Sequence, residues 1–412
     1  MSNPMPPKRA RHPEPTPVTA ASMRAANRAA LVAAIRRQGA LTRAALSEWT
    51  GLSKGAVSSL VADLLRDGVL YENDADAIAG ARNRALHLNR DLGVALGIEL
   101  GTSECRGIAT DVAIRPLRRA LRPVASTTVE ASIALIADLA RDLLAGEARR
   151  CLGLTVALPA LTDKEGRTVI YSEGLNWSDV PLAARLEELL GYPVRVANRP
   201  RAGAMGEHWH GAGMGVDDSV YVSVSDGIGA GVFIEGRPFS GAAGYGGEFG
   251  HTTVLLDGPP CACGSRGCLE TVASLPAIRE AIRAAVRQGT PTCLAEPITY
   301  RGIIDAVRDG DALALREVRR AAEYVGVGVA TLINLFNPSL VIIGGYLAEA
   351  GEVVLHAVRK AAQRRAFPTS YRHVEIRRNA LSLESACIGA CALAVNGHIA
   401  RLEPALRVVP WG

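Results

Sequence analysis

The chain has 412 residues, 48% of them hydrophobic, 21% charged and only 4% aromatic, with a formal net charge of +5. That length suits two or three domains with cores of their own. No run of about 18 apolar residues and no apolar stretch behind a basic N-terminus is present, which argues against a membrane span and a secretory signal. Eight cysteines without a regular framework fit a reducing compartment, so the expected location is the cytoplasm. Cys105, Cys151, Cys293, Cys387 and Cys391 read as ordinary thiols.

The positive charge is unevenly placed: residues 1–90 hold 13 Lys/Arg against 7 Asp/Glu, and the remaining residues 33 against 34. Residues 1–20, with six prolines plus Lys8, Arg9 and Arg11, read as a disordered basic arm. From Ser22 to Gln38, Ala26, Leu31, Val32 and Ile35 recur at helical spacing, and Gly39 is a stop. Thr42 to Trp49 is a second short helix, Thr50-Gly51-Leu52 a tight turn, and Ser53 an N-cap for a third helix to about Arg66. This is helix-turn-helix spacing, with Leu46, Leu52, Val57 and Leu60 facing inward. Val69 to Glu72 and Arg84 to Asn89 alternate like two strands of a wing, with Gly80-Ala81-Arg82 near its tip. The candidate DNA contacts are Arg43, Lys54, Ser58 and Ser59 for the major groove and backbone, and Arg82 for the minor groove. The plainer alternative is a small helical domain whose charges face solvent, and Glu72, Asp74 and Asp76 lean that way. The coincidence of helix-turn-helix, wing and positive excess favours a DNA-binding domain over residues 21–90.

Beyond Leu92 the pattern turns to β. Val94 to Leu100 and Arg106 to Asp111 read as a hairpin around Gly101-Thr102-Ser103. An amphipathic helix is expected over 131–148, a buried strand at Leu152 to Pro159 leading into Thr168 to Trp177, and another strand at Val194 to Asn198. Helices follow at 272–288, 299–309 and 311–336. Asn337-Pro338 then breaks to the strand Leu340 to Ile343 with Gly344-Gly345, and a helix runs on to about Arg365. Val374 to Arg377 is a short strand, and Ser385 to Asn396 a small-residue helix that packs back on the first lobe. No internal repeat is visible.

The densest chemical signal is Gly244 to Glu270, GYGGEFGHTTVLLDGPPCACGSRGCLE. Cys261 and Cys263 bracket one residue, Cys268 follows a Gly-rich turn, and His251 lies ten residues upstream of Cys261. Three thiolates and an imidazole make a closed tetrahedral zinc shell, which is structural because no coordination position stays open. The alternative is free or disulfide-linked cysteines, and Cys261 and Cys263 are too close for an easy bridge.

The run GGEFGH followed by CACGSRGCLE resembles the signature of the ROK family of bacterial sugar kinases and sugar-responsive repressors, and the resemblance extends from about Ala95 to the C-terminus. It implies an α/β chain with a two-lobed actin-like ATPase (ribonuclease H-like) sugar-kinase fold over residues 91–412 and a structural zinc loop. It also implies that Glu248, His251 and Glu270 bind sugar hydroxyls, His251 giving its other ring nitrogen to zinc with Cys261, Cys263 and Cys268. Asn176 and Trp177 match a loop that contacts sugar, and Asn198 matches a sugar-binding asparagine. Winged modules head the repressor branch of this family.

Three departures from the kinase pattern stand out. The first phosphate loop reads Glu99-Leu100-Gly101-Thr102-Ser103 in place of Asp, apolar, Gly, Gly, Thr. Kinases of the family read Asn-Asp-Ala-Asn where this chain has Asn198-Arg199-Pro200-Arg201, and an arginine cannot act as the general base. The second phosphate loop reads Ser225-Asp226-Gly227-Ile228-Gly229, a carboxylate where phosphates would sit. Taken as three independent lesions, they imply sugar recognition without phosphoryl transfer. Arg199 and Arg201 either recognise an acidic or phosphorylated ligand or pair with Glu248 or Asp226.

The expectation is therefore a sugar-responsive transcriptional regulator, a repressor by default. It binds operator DNA as a homodimer or homotetramer, takes a sugar or sugar derivative as effector, carries one structural zinc per chain and has no catalytic residue. The alternatives are an active sugar kinase with an accessory DNA-binding domain, and a zinc-stapled interaction module without a small ligand.

Overall fold

The computed structural model describes residues 20–73 and 84–402. Most of the expected basic arm and the tip of the wing, with Arg82, lie outside the described residues. The chain opens with α1 (Ala20–Gln38), α2 (Arg43–Thr50) and α3 (Lys54–Arg66), then the strands β1 (Leu70–Asn73) and β2 (Ala85–Leu88). The caps explain the boundaries. Thr42 accepts from the Ala45 N–H at 3.2 Å and Ser53 from the Ala56 N–H at 3.3 Å, each satisfying an otherwise orphaned donor of the first turn. Gly51 closes α2 at φ 70°, a left-handed conformation that costs a side-chain-bearing residue energy. β1 and β2 pair antiparallel from Leu70 with Leu88 to Asn73 with Ala85. Leu46 and Val57 are fully buried beneath them, Leu60 nearly so, and Leu52 half-buried. Arg24 pairs with Asp63 and Arg28 with Asp67, clasping α1 to α3.

The first lobe follows with β3 (Val94–Leu100), β4 (Glu104–Thr110), β5 (Pro116–Pro123), α4 (Val129–Leu144) and β6 (Cys151–Leu158). A small sheet of β7 (Leu161–Thr162), β8 (Val169–Ser172) and β9 (Trp177–Val180) comes next, then α5 (Leu182–Leu190), β10 (Val194–Asn198) and α6 (Arg199–His210). The second lobe holds β11 (Ser219–Val224), β12 (Ile228–Ile234), β13 (Arg237–Phe239), α7 (Leu269–Ala273), α8 (Leu275–Arg287), α9 (Tyr300–Arg308), α10 (Ala312–Phe336) and β14 (Leu340–Gly344). It ends with α11 (Glu352–Gln363), α12 (Pro368–Arg372) and β15 (Glu375–Arg378), after which α13 (Ser385–Arg401) returns to the first lobe.

The two large sheets share one topology. In β10-β6-β3-β4-β5 and in β13-β12-β11-β14-β15, a three-strand antiparallel meander is extended past its first strand by two parallel strands. The duplication is in backbone order and left no repeat legible in the sequence. Its consequence is that the first hairpin turn of each sheet, residues 101–103 and 225–227, occupies the equivalent place in its lobe.

α13 packs on β3 and β6, α6 packs on β11 and β12, and the two helices lie against each other between the sheets. Glycine makes the approach possible: a Cβ at Gly389 would stand 1.8 Å from the Ala202 carbonyl oxygen, and one at Gly206 2.2 Å from that of Ser385. Residues 382–401 are long and apolar enough to cross a membrane by composition, against the expectation of no such run, but 78% of that stretch is buried inside the protein. The stretch is a core helix. One apolar cluster runs from Leu31, Val32, Ile35 and Leu46 through Leu86 to Ile108, Leu152, Ile388 and Val395, so the N-terminal unit and the first lobe share a core. Arg36 of α1 adds a hydrogen bond to Asn396 Oδ1 of α13 at 3.1 Å.

Candidate functional site

A cavity of about 580 Å³ opens between the lobes, within the range usual for small-ligand sites. At one end Glu248, His251 and Glu270 line it as expected. Glu270 Oε2 accepts the Ile228 N–H at 2.7 Å, which aims the carboxyl at the cavity. Glu248 is exposed toward the cavity, yet burial of its carboxyl by the surrounding protein raises it above the ordinary value, against the nearby Arg201 guanidinium. Glu173 completes this end: its carboxylate, that of Glu270 and the His251 ring have polar atoms within 4.8 Å of one another.

Glu173 carries no sequence signal of its own; the expected sugar contact from the same loop is Asn176. The structure corrects this. Asn176 occupies a left-handed turn position at φ 56°, its N–H bonds to Glu173 O at 3.0 Å, its side chain is exposed, and it does not line the cavity. Trp177 is buried, its Nε1 donating to Thr127 O at 2.7 Å, so it fixes the loop by packing instead of facing the ligand space. From this loop it is Glu173, three positions before Asn176, that lines the cavity. Asn198 lines the cavity with much of its amide already engaged, Oδ1 capping α6 through the Arg201 N–H at 3.2 Å and Nδ2 donating to Ala160 O at 3.1 Å. It keeps one amide hydrogen and one lone pair for a ligand.

At the far end Arg279 and Tyr300 line the cavity, the guanidinium carbon 5.3 Å from the ring centroid, a cation–π distance. Nothing in the sequence singled them out, since α8 and α9 read as scaffold.

Behind the acidic end, the Sγ atoms of Cys263 and Cys268 stand 3.7 Å apart, and Cys261 Sγ lies 3.6 Å from His251 Nδ1. All four ligand atoms fall within 4.8 Å of one another, a set that can hold a metal ion. Backbone bonds shape the loop: Cys261 N–H to Ser265 O at 2.8 Å, and Gly267 N–H to Pro259 O at 2.8 Å. Nδ1 faces the thiols, which leaves Nε2 for the cavity.

The three departures at Glu99, Arg199 and Asp226 are not independent, because the fold brings them together. Arg199 pairs with Asp226, and its other terminal nitrogen lies 3.8 Å from Glu99 Oε1. Burial opposes ionisation of both partners, but the pairing wins, holding Asp226 below and Arg199 above its ordinary pKa. Glu99 is raised by burial. Arg199 is thus committed to Asp226, the pairing foreseen as one of two possibilities, and offers no acceptor for a hydroxyl proton. Arg201 points elsewhere, toward Thr162 Oγ1 at 3.4 Å, with Glu248 within electrostatic reach.

On the N-terminal unit, Lys54, Ser58 and Ser59 are exposed at the start of α3, Ser59 accepting from Arg24 at 3.3 Å. Arg43 is half-buried and paired with Glu72 of β1, which Arg84 also approaches at 3.4 Å. Its charge is already compensated at the wing.

Comparison with known proteins bears on the whole chain. The ROK family profile matches residues 95–396. A xylose repressor of Caldicellulosiruptor bescii is 31% identical over 369 residues, 86% of this chain and 92% of the relative. Among solved structures, a ROK family transcriptional regulator described as a homologue of the E. coli MLC protein superposes with a TM-score of 0.78 at 26% identity, over 93% of this chain and 98% of that one. A ROK family glucokinase from Streptomyces griseus, in complex with glucose and AMPPNP, reaches 0.68 at 29% identity, over 73% of this chain and 99% of its own. The regulator matches the N-terminal unit together with both lobes, and the profile spans the lobes from β3 to α13: this chain belongs to the ROK family.

Proposed function

We propose that this chain is a DNA-binding transcriptional repressor whose operator affinity is set by a sugar or sugar derivative bound between the lobes. Residues 21–90 are the winged helix-turn-helix reader and residues 91–412 the effector-binding domain. The observation that carries this reading is Arg199: the position a kinase needs for its base holds a buried cation already neutralised by Asp226. Sugar contacts come from Glu248, His251, Glu270 and Asn198, joined by Glu173 and without Asn176. Carboxylates and an oriented imidazole suit a polyol. DNA contacts come from Lys54, Ser58 and Ser59 at the major groove, with Arg43 freed from Glu72 only at the cost of that pair. A dimer spaces two such helices one turn of the duplex apart.

Zinc fits the thiol and imidazole set. Tetrahedral zinc, with bonds of about 2.3 Å to sulfur and about 2.05 Å to nitrogen, puts two sulfurs about 3.8 Å apart and sulfur about 3.6 Å from nitrogen. The 3.7 and 3.6 Å separations meet that requirement. The ion would be structural, holding the loop and leaving the His251 proton on Nε2, ready to donate to a hydroxyl.

The test is fluorescence anisotropy with DNA from upstream of the protein's own gene, at fixed salt, against a panel of sugars and sugar derivatives. One compound is expected to weaken operator binding about 5- to 150-fold, and Glu248→Ala to abolish that response while leaving DNA affinity intact. Binding no tighter than to random DNA, or an unaltered response in Glu248→Ala, would count against the reading.

A further inference from the structure

Across the cleft, the two equivalent hairpin turns are joined by a single carboxylate. Asp226 Oδ2 accepts the Thr102 backbone N–H at 3.2 Å and the Thr102 hydroxyl at 3.1 Å. Oδ1 accepts the Gly227 N–H at 3.1 Å and pairs with Arg199. The side chains of Arg199 and Asp226 are only 7% and 11% exposed. A main-chain N–H, a hydroxyl and a guanidinium converging beside a glycine are what a bound anion requires. Gly101 lies beside the carboxylate: a Cβ on it would meet the Glu104 carbonyl oxygen at 3.1 Å and stand in ordinary contact, 3.7 Å, with Asp226 Oδ2.

We propose that Asp226 is a resident anion: its carboxylate fills the anion position at the Thr102 turn and latches the first lobe to the second, so the cleft is held without nucleotide or free phosphate. The charges support this. One guanidinium faces one ionised carboxylate at close range, the near-neutral balance that a buried cluster needs, and donors from both lobes satisfy the carboxylate oxygens. Removing either Arg199 or Asp226 leaves the other buried without its close partner, which ties the departures at these two positions to each other. The same residues border the effector cavity, since Thr102, Arg199 and Asp226 line it.

Hydrogen–deuterium exchange on the full-length protein tests the latch, following peptides that cover residues 101–105 and 225–229. In Asp226→Asn both should exchange faster, by roughly tenfold, the factor that loss of a charge-assisted hydrogen bond brings. Thr102→Val leaves the Arg199–Asp226 pair intact and should speed the same two peptides, which keeps the test decisive if the first variant folds poorly. Inorganic phosphate should leave the melting temperature of the unmodified protein unchanged and raise that of Asp226→Asn, where the position is no longer filled by an anion. Faster exchange at 225–229 alone, stabilisation of the unmodified protein by phosphate, or no phosphate gain in the variant would each overturn the proposal. None of these readouts uses DNA or sugar, so the latch stands or falls apart from the repressor reading.

Discussion

Arg199 shows how one side chain can decide what a site is able to do. Restoring a carboxylate there does not restore a kinase, because Asp226 would lose the guanidinium paired with it and Glu99 the one 3.8 Å away: Arg199→Asp would bring three carboxyl groups into one buried pocket. Breaking a buried ion pair costs about 3–5 kcal/mol. The expected result is a melting temperature lower by several degrees, with sugar-dependent ATP consumption at background. A variant as stable as the parent would mean that the charges are solvated and the cluster is not the unit described. Cys263 is the second informative residue, the exposed member of the thiol set. Cys263→Ser leaves three ligands of four, so metal content by mass spectrometry should become substoichiometric and thermal stability should fall, since metal binding and folding share free energy. A full complement of zinc in that variant would refute the ligand assignment.

Elements were legible in the sequence where a local chemical signal fixed them. Thr42, Ser53 and Gly51 set α2 and α3 because caps act within one turn. The β10 strand was found at its true bounds from Val194 to Asn198. α6 leaves no legible pattern, for a physical reason: lying between the two sheets and α13, it buries residues on several sides, with Arg199, Pro200, Ala202 and Glu207 all covered, so it carries no apolar stripe. β5 was missed because an edge strand with Arg118, Arg119 and Arg122 exposed shows no alternation. The clasp between α1 and α3 was equally invisible, as it joins side chains 39 positions apart. Burial opposes ionisation of Asp63, but the bonds from Arg24 and Arg66 prevail and hold its carboxyl below the ordinary value. A depressed carboxyl contributes stability above its unfolded pKa, near 4, and loses it as pH falls through the lower folded value. Acidification from about pH 5 to about pH 3 should therefore speed amide exchange in α1 before the second lobe responds, and Asp63→Asn should do the same at neutral pH. Exchange in α1 that is indifferent to both changes would mean that the clasp contributes nothing.

At the scale of the molecule, the division at about residue 90 was drawn from a change of pattern, whereas the packing runs straight across it. α1 lies on α13 through Leu31, Val32, Ile35, Ile388 and Val395, and Trp209 of α6 packs on the same cluster. Arg36 is half-buried at this seam, and the burial of its guanidinium lowers it to about 10. A reader domain on a flexible linker would melt by itself and would feel a ligand in the cleft only through tethering. A reader that shares a core with the effector lobe must move with it, so a coupling of about 1–3 kcal/mol can pass through packed side chains. Calorimetry separates the two cases. Leu31→Ala and Val395→Ala lie on opposite sides of the seam, and each should cost about 2–5 kcal/mol and lower the same transition. Close neighbours in one cluster should also combine non-additively in the double variant. Two transitions in the parent protein, with Leu31→Ala shifting only the lower one, would show that residues 21–90 fold independently and that the seam transmits nothing.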